Sequence, residues 1–160
     1  MSYSIYKLVH LAAVIIFLGN IVAGLFWKAH ADRSSNPRII AHTLKGIIRS
    51  DRWFTIPAIF VILISGFGAA IKGGLPILHT GWIFWSIVLF SLSGIAFSAR
   101  VAPLQKQLAE LVGRGSDSES FDWALYGSLS KRWEWWGAFA LLTPTVAAIL
   151  MVLKPVLPGL

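Results

Sequence analysis

The sequence predicts an all-α polytopic membrane protein: an antiparallel bundle of four transmembrane helices with a basic amphipathic cytoplasmic segment. Three observations carry this expectation. Four apolar runs, 8–27, 53–71, 81–99 and 135–153, each approach the roughly 20 residues needed to cross a hydrocarbon core about 30 Å thick. Charged residues make up only 13% of the 160, about half the share in a soluble domain, and the mean hydropathy is +0.71. The charges are also sorted. All fourteen basic residues except Lys7, Lys72 and Lys154 fall in the connections 28–52 and 100–134. The positive-inside rule places those connections in the cytoplasm of a bacterial inner membrane, with both termini and the 72–80 loop outside. This explains the +7 charge without nucleic acid, and the expectation is a single membrane domain over 1–160.

The first run resembles a secretory signal in its Ala29-His30-Ala31 ending, but it is longer than a signal core. Its stronger basic cluster also follows the run, so it reads as a span. Trp27, Trp53, Trp82, Trp133, Trp135 and Trp136 sit near run ends and read as interfacial anchors.

In the first connection, Asn36-Pro37 is a helix start. Beyond it, Ile40, Leu44, Ile47 and Ile48 share one face, while Arg38, His42, Lys45 and Arg49 share the other. This basic amphipathic helix either lies on the inner leaflet or extends the second span. Arg38, Lys45 and Arg49 are its candidate contacts to anionic lipid headgroups, and His42 reads as solvated.

After the third run, Leu104, Leu108, Leu111 and Val112 continue a helix about three turns beyond the membrane, ended by Gly113-Arg114-Gly115. Ser116-Asp117-Ser118-Glu119 has the form of a capping box, and Phe121, Leu125 and Leu129 give the next helix an apolar stripe. These two extensions are expected to pair as a hairpin. Gly19 with Ala23, Ser65 with Gly66 and Ala69, and Gly94 with Ser98 offer small surfaces for close helix approach. Pro57 and Pro144 free the carbonyls of Trp53 and Ala140.

His10 is the leading candidate for chemistry, because an imidazole within an apolar run costs about 2 to 3 kcal/mol unless it is paired. Ala13, Phe17, Ile21, Gly24 and Lys28 share its face, with Asn20 at the edge, an arrangement suited to a flat ligand. Two readings stay open: His10 ligates a cofactor, or it bonds a neighbouring helix backbone and locks the bundle. By topology, His79 at the outer mouth of the third span is the one histidine able to share a metal or haem with it. No cysteine is present, which removes thiolate sites and disulfides, and the acidic residues fall in loops or at span ends. Hydrolase chemistry and an in-membrane proton relay are therefore poorly supported.

Lys7-x-x-His10, Phe26-x-x-x-His30-Ala31-Asp32, Thr55-Ile56-Pro57, Gly81-Trp82 and Pro144-Thr145 with a late Lys154 resemble, in order and spacing, the four-span core of HemJ-type protoporphyrinogen oxidases. The same core is similar to CopD-like and uncharacterised predicted integral membrane proteins. The resemblance implies a b-type haem with His10 as axial iron ligand and Lys7 nearby. It also implies electron transfer or porphyrin-related oxidoreduction.

Two features depart from the HemJ pattern. The third span has Phe84-Trp85-Ser86 and Ser91-Leu92-Ser93-Gly94 without a histidine, and Leu141-Leu142-Thr143 stands where an Asn-Glu pair precedes the proline. The expectation is an uncharacterised branch that keeps the cofactor anchor, with Lys7, His10, Phe17, Asn20 and His79 around it. Expected partners are the bilayer, anionic lipids, and a second copy or a membrane redox partner. The alternatives are a non-enzymatic scaffold or assembly subunit and, more weakly, CopD-like copper handling, for which Met1 and Met151 are the sole soft ligands.

Overall fold

The computed structural model describes residues 2–115 and 121–160, and every regular element among them is helical. Helix α1 (Tyr3–Arg33) continues past the first apolar run. The chain then turns through Ser34 and Ser35. Ser34 donates from both its N–H and its Oγ to the Ala31 carbonyl, at 3.0 and 2.6 Å, and Ser35 takes a φ of 49°. Asn36 caps α2 (Pro37–Ser50) as expected, its side chain accepting from the Arg38 N–H at 3.0 Å with Pro37 in the first turn.

Helix α2 extends the second span. A π turn at Asp51–Thr55 carries it directly into α3 (Ile56–Lys72), and a second π turn at Phe97–Val101 joins α4 (Gly81–Ala96) to α5 (Ala102–Gly115). A proline follows each π turn by two residues, Pro57 in one case and Pro103 in the other. Each ring presses on the carbonyl four residues back, Trp53 or Ala99, and the wider turn makes room for it. Helix α6 (Trp123–Leu153) is capped by Asp122, which accepts from the Leu125 N–H at 2.9 Å. The capping box expected at Ser116-Asp117-Ser118-Glu119 lies outside the described residues.

The four continuous helices, 3–33, 37–72, 81–115 and 123–153, are long and apolar enough to cross a membrane, and their connections make them antiparallel. Helix α1 packs along α3, and α4 along α6. At the basic end α2 packs on α5, so the extensions close into a helical head. The head contains the larger apolar core: Ile40, Leu44, Leu108 and Val112 are completely buried there, each worth about 1.5 to 3 kcal/mol of transfer free energy. A smaller core of Ala13, Phe17, Ala58 and Ile62 lies within the spans. Ser93 donates to the Ala140 carbonyl at 2.6 Å, replacing the partner that Pro144 cannot supply.

Several expectations are corrected. Trp133 is 4% exposed and belongs to the head core, unlike the exposed Trp27, Trp53 and Trp135. Of the expected stripe, Phe121 and Leu129 pack against the head core, but Leu125 points outward, and α6 buries Tyr126, Ser130 and Trp133 beside them. Gly19, Ala23, Gly94 and Ser98 are exposed, so those small faces do not pack inside the bundle, whereas Ser65 is buried and Gly66 meets His10. At the opposite end, Lys154 stops α6 in the left-handed region, and the following residues fold back over the α3–α4 connection. The Leu160 N–H bonds the Leu78 carbonyl at 2.9 Å, and Trp85 Nε1–H bonds the Pro158 carbonyl at 3.1 Å.

Candidate functional site

His10 stands half-buried on the seam between α1 and α3, in the half of the bundle away from the basic head. Its Nδ1 lies 2.9 Å from the Ile62 carbonyl. A carbonyl can only accept, so Nδ1 carries the proton and Nε2 is left without a partner among the described residues. The ring rests on Gly66, where a methyl group would stand 3.0 Å from Cε1, so any larger residue would push the imidazole back by a few tenths of an ångström. One turn further along, Tyr6 covers Gly68 in the same manner, with a methyl there 2.5 Å from the phenol ring. The backbone bond that the sequence left open as one reading is therefore formed. The unpartnered Nε2 leaves the ligand reading its necessary atom.

The other residues grouped with His10 go to different places. Lys7 is exposed one turn nearer the start of α1. Phe17 is 4% exposed in the span core, its ring tilted against Phe90 with centroids 5.5 Å apart. The face expected to lie beside a flat ligand is thus filled by Ala58 and Ile62 of α3. Asn20 is engaged by Asp51 and Thr55. His79 bonds the Leu160 carbonyl through Nδ1 and is held against the folded-back tail. Among the described residues, no three His, Cys, Asp or Glu side chains group as a metal site. The cavity lined by Phe17, Ile21, Thr55, Ile59, Phe90 and Ser93 measures about 30 Å³, room for a water and far too small for a macrocycle.

The densest polar chemistry lies at the basic end, around Lys28, which helical spacing had placed on the His10 face and the charge pattern at a span end. Lys28 is 1% exposed. Its ammonium donates to Asp32 at 2.6 Å and Ser130 at 2.5 Å, reaches Glu134 at 3.5 Å, and sits over the rings of Tyr126 and Trp133 at 5.5 and 5.3 Å. Tyr126 donates its hydroxyl to the other Asp32 oxygen, and Ser130 donates to Glu134 at 2.8 Å. The network ties α1 to α6 with two carboxylates around one cation. Trp133 Nε1 is the one buried side-chain nitrogen or oxygen among the described residues that lacks a partner.

A second cluster forms where the first π turn meets α1 and α5. Asp51 Oδ1 accepts from Asn20 at 3.2 Å and Thr55 at 2.9 Å, while Oδ2 accepts from Gln105 at 3.2 Å. Asn20 also donates to Thr55 at 2.8 Å. The spacings Lys28/Asp32, Asp51/Thr55 and Ser130/Glu134 are all i,i+4 and can be read from the sequence. Their joining across helices has no one-dimensional signal.

On the head's outer surface, Arg38, His42, Lys45 and Arg49 are exposed, and the apolar face beneath them is covered by protein. Fold and site together define a four-span integral membrane protein with a helical head at its basic end. The chain belongs to the DUF2269 family of predicted integral membrane proteins, whose family model matches residues 4–155. No curated protein and no solved structure matches it.

Proposed function

We propose that this is a bacterial inner-membrane protein, with its basic head in the cytoplasm, that carries a b-type haem on His10 and takes part in electron transfer. The observation supporting this reading is the His10 geometry. A carbonyl fixes the Nδ1–H tautomer and a glycine seats the ring, so Nε2 is the atom left to ligate, the arrangement typical of metal-binding histidines. The HemJ-like sequence features point to the same residue. The cavity near Phe17 admits no porphyrin, so the fit lies at the open side of the α1–α3 seam, with His10 as the protein ligand. Exposed Lys7, one turn away, is available to a carboxylate of the group. When bound, haem would supply one-electron chemistry, while the protein orients the ligand and keeps it within an apolar environment.

The test is coordination. In detergent, wild type purified with or given haem should show a Soret band that His10→Ala abolishes. Gly66→Ala, which pushes on Cε1, should weaken or shift it. A Soret band identical in all three proteins would contradict the assignment.

A second reading, a scaffold that holds anionic lipid, is favoured by the exposed cations Lys45 and Arg49 on α2. Vesicles containing anionic lipid should stabilise wild type more than the Lys45→Gln/Arg49→Gln variant, and equal stabilisation would remove this reading.

A further inference from the structure

The buried polar side chains divide into a cluster with its own cation and a cluster without one. Around Lys28 the charges are opposed within 2.6 to 3.5 Å. Around Asp51 every partner is neutral: Asn20 from α1, Thr55 from the same π turn, and Gln105 from α5. Thr55 and Gln105 are 1% and 3% exposed, so the carboxyl is walled by buried dipoles on the protein side. The charged residues nearest in sequence on the packed elements, Arg49 before the π turn, Arg52 within it and Lys106 on α5, are exposed, and none of the three forms a salt bridge with Asp51. On α1, Lys28 is committed to Asp32 and Glu134. Asp51 itself is half-buried, so water at the basic end can reach it.

We propose that Asp51 is a proton-binding site at the junction of the spans and the head, and that Gln105 reverses its side-chain amide as the proton comes and goes. In the ionised state Gln105 Nε2 donates to Oδ2, as observed. When a proton from water adds to Oδ2, the new O–H donates to Gln105 Oε1 after a half-turn of the amide. Asn20 and Thr55 keep their bonds to Oδ1 in both states, so the helices stay tied while the cluster changes from one negative charge to none. At the π turn, Thr55 of the same element and Asn20 of α1 converge on one oxygen of the Asp51 carboxyl. The site would hold a proton within reach of the basic-side water and needs no haem.

Asp51 lies before the second apolar run, and burial pushes its carboxyl above the ordinary range, against the smaller opposing effects of the Gln105 and Thr55 bonds. The sign follows from linkage. A raised folded-state value means the folded protein holds the proton longer, so this group's contribution is most favourable at acid pH. It declines from about pH 4 upward until the folded carboxyl has also ionised.

Unfolding temperatures of the full-length protein in detergent, without haem, test the proposal across that range. Relative to Asp51→Asn, wild type should lose stability as pH rises, and the difference should level off at higher pH. Gln105→Leu removes a charge-assisted bond to the ionised form and only a neutral one to the protonated form, so it should extend the decline to higher pH with its onset unchanged, a shift that a merely structural role would not produce. Isotope-edited infrared spectra supply a readout independent of unfolding. The protonated-carboxyl band of wild type should contain a component that persists above the range of ordinary carboxyls, is missing from Asp51→Asn, and disappears at higher pH in Gln105→Leu than in wild type. Parallel stability profiles for wild type and Asp51→Asn, or a carboxyl band unchanged by Asp51→Asn, would overturn the proposal.

Discussion

The half of the molecule around His10 and the head around Lys28 handle buried polarity in opposite ways. In the first, one imidazole spends one nitrogen on a backbone carbonyl and leaves the other unpartnered. In the second, ammonium, carboxylates, hydroxyls and aromatic faces close on one another across α1 and α6. A closed network stabilises one arrangement of helices, whereas a half-satisfied side chain is costly and is kept where something else can complete it. On the proposed reading, binding falls to the poorer polar site and architecture to the richer one.

The largest effect should come from breaking the head. Lys28→Ala would leave Asp32 and the more exposed Glu134 without their cation and should cost about 2 to 4 kcal/mol, less than a fully buried pair because water reaches both carboxylates, read as a drop in unfolding temperature. Adding Asp32→Asn and Glu134→Gln to Lys28→Met should recover most of that loss, because cation and carboxylates then disappear together. Next is Ser93→Ala, which strands the Ala140 carbonyl beside Pro144 and should cost about 1 to 3 kcal/mol in the same assay. His10→Ala should cost less, about 0.5 to 1.5 kcal/mol for its single backbone bond, while removing any haem band. A His10 variant as destabilised as Lys28→Ala would erase the distinction between the halves. Smallest is Lys45→Gln/Arg49→Gln, expected within about 0.5 kcal/mol of wild type in neutral detergent.

Much of the scaffold was legible because membrane helices announce themselves in one dimension. Apolar length marked the spans, Asn36-Pro37 marked the start of α2, and the Leu104, Leu108 and Val112 repeat marked α5. Pro144 pointed to the loosened Ala140 carbonyl, although not to Ser93 as its new partner. His10 was legible as an anomaly, and its surroundings were not. Helical spacing put Phe17 on the same face, but only the docking of α3 shows that face to be filled. Lys28 and Asp51 were overlooked for a related reason. A charge at a span end satisfies a topological rule whether it faces water or four other side chains, and the sequence does not distinguish the two cases.

The most direct measurement is a haem titration of the detergent-purified protein, followed by absorbance, in wild type and His10→Ala, with Lys28→Met/Asp32→Asn/Glu134→Gln as the control altered only in the head. Wild type and the head variant should each saturate at one haem per chain with a common Soret band, and His10→Ala should not develop it. A wild type that takes up no haem, or a band retained in His10→Ala, would contradict the assignment of His10 as the ligand.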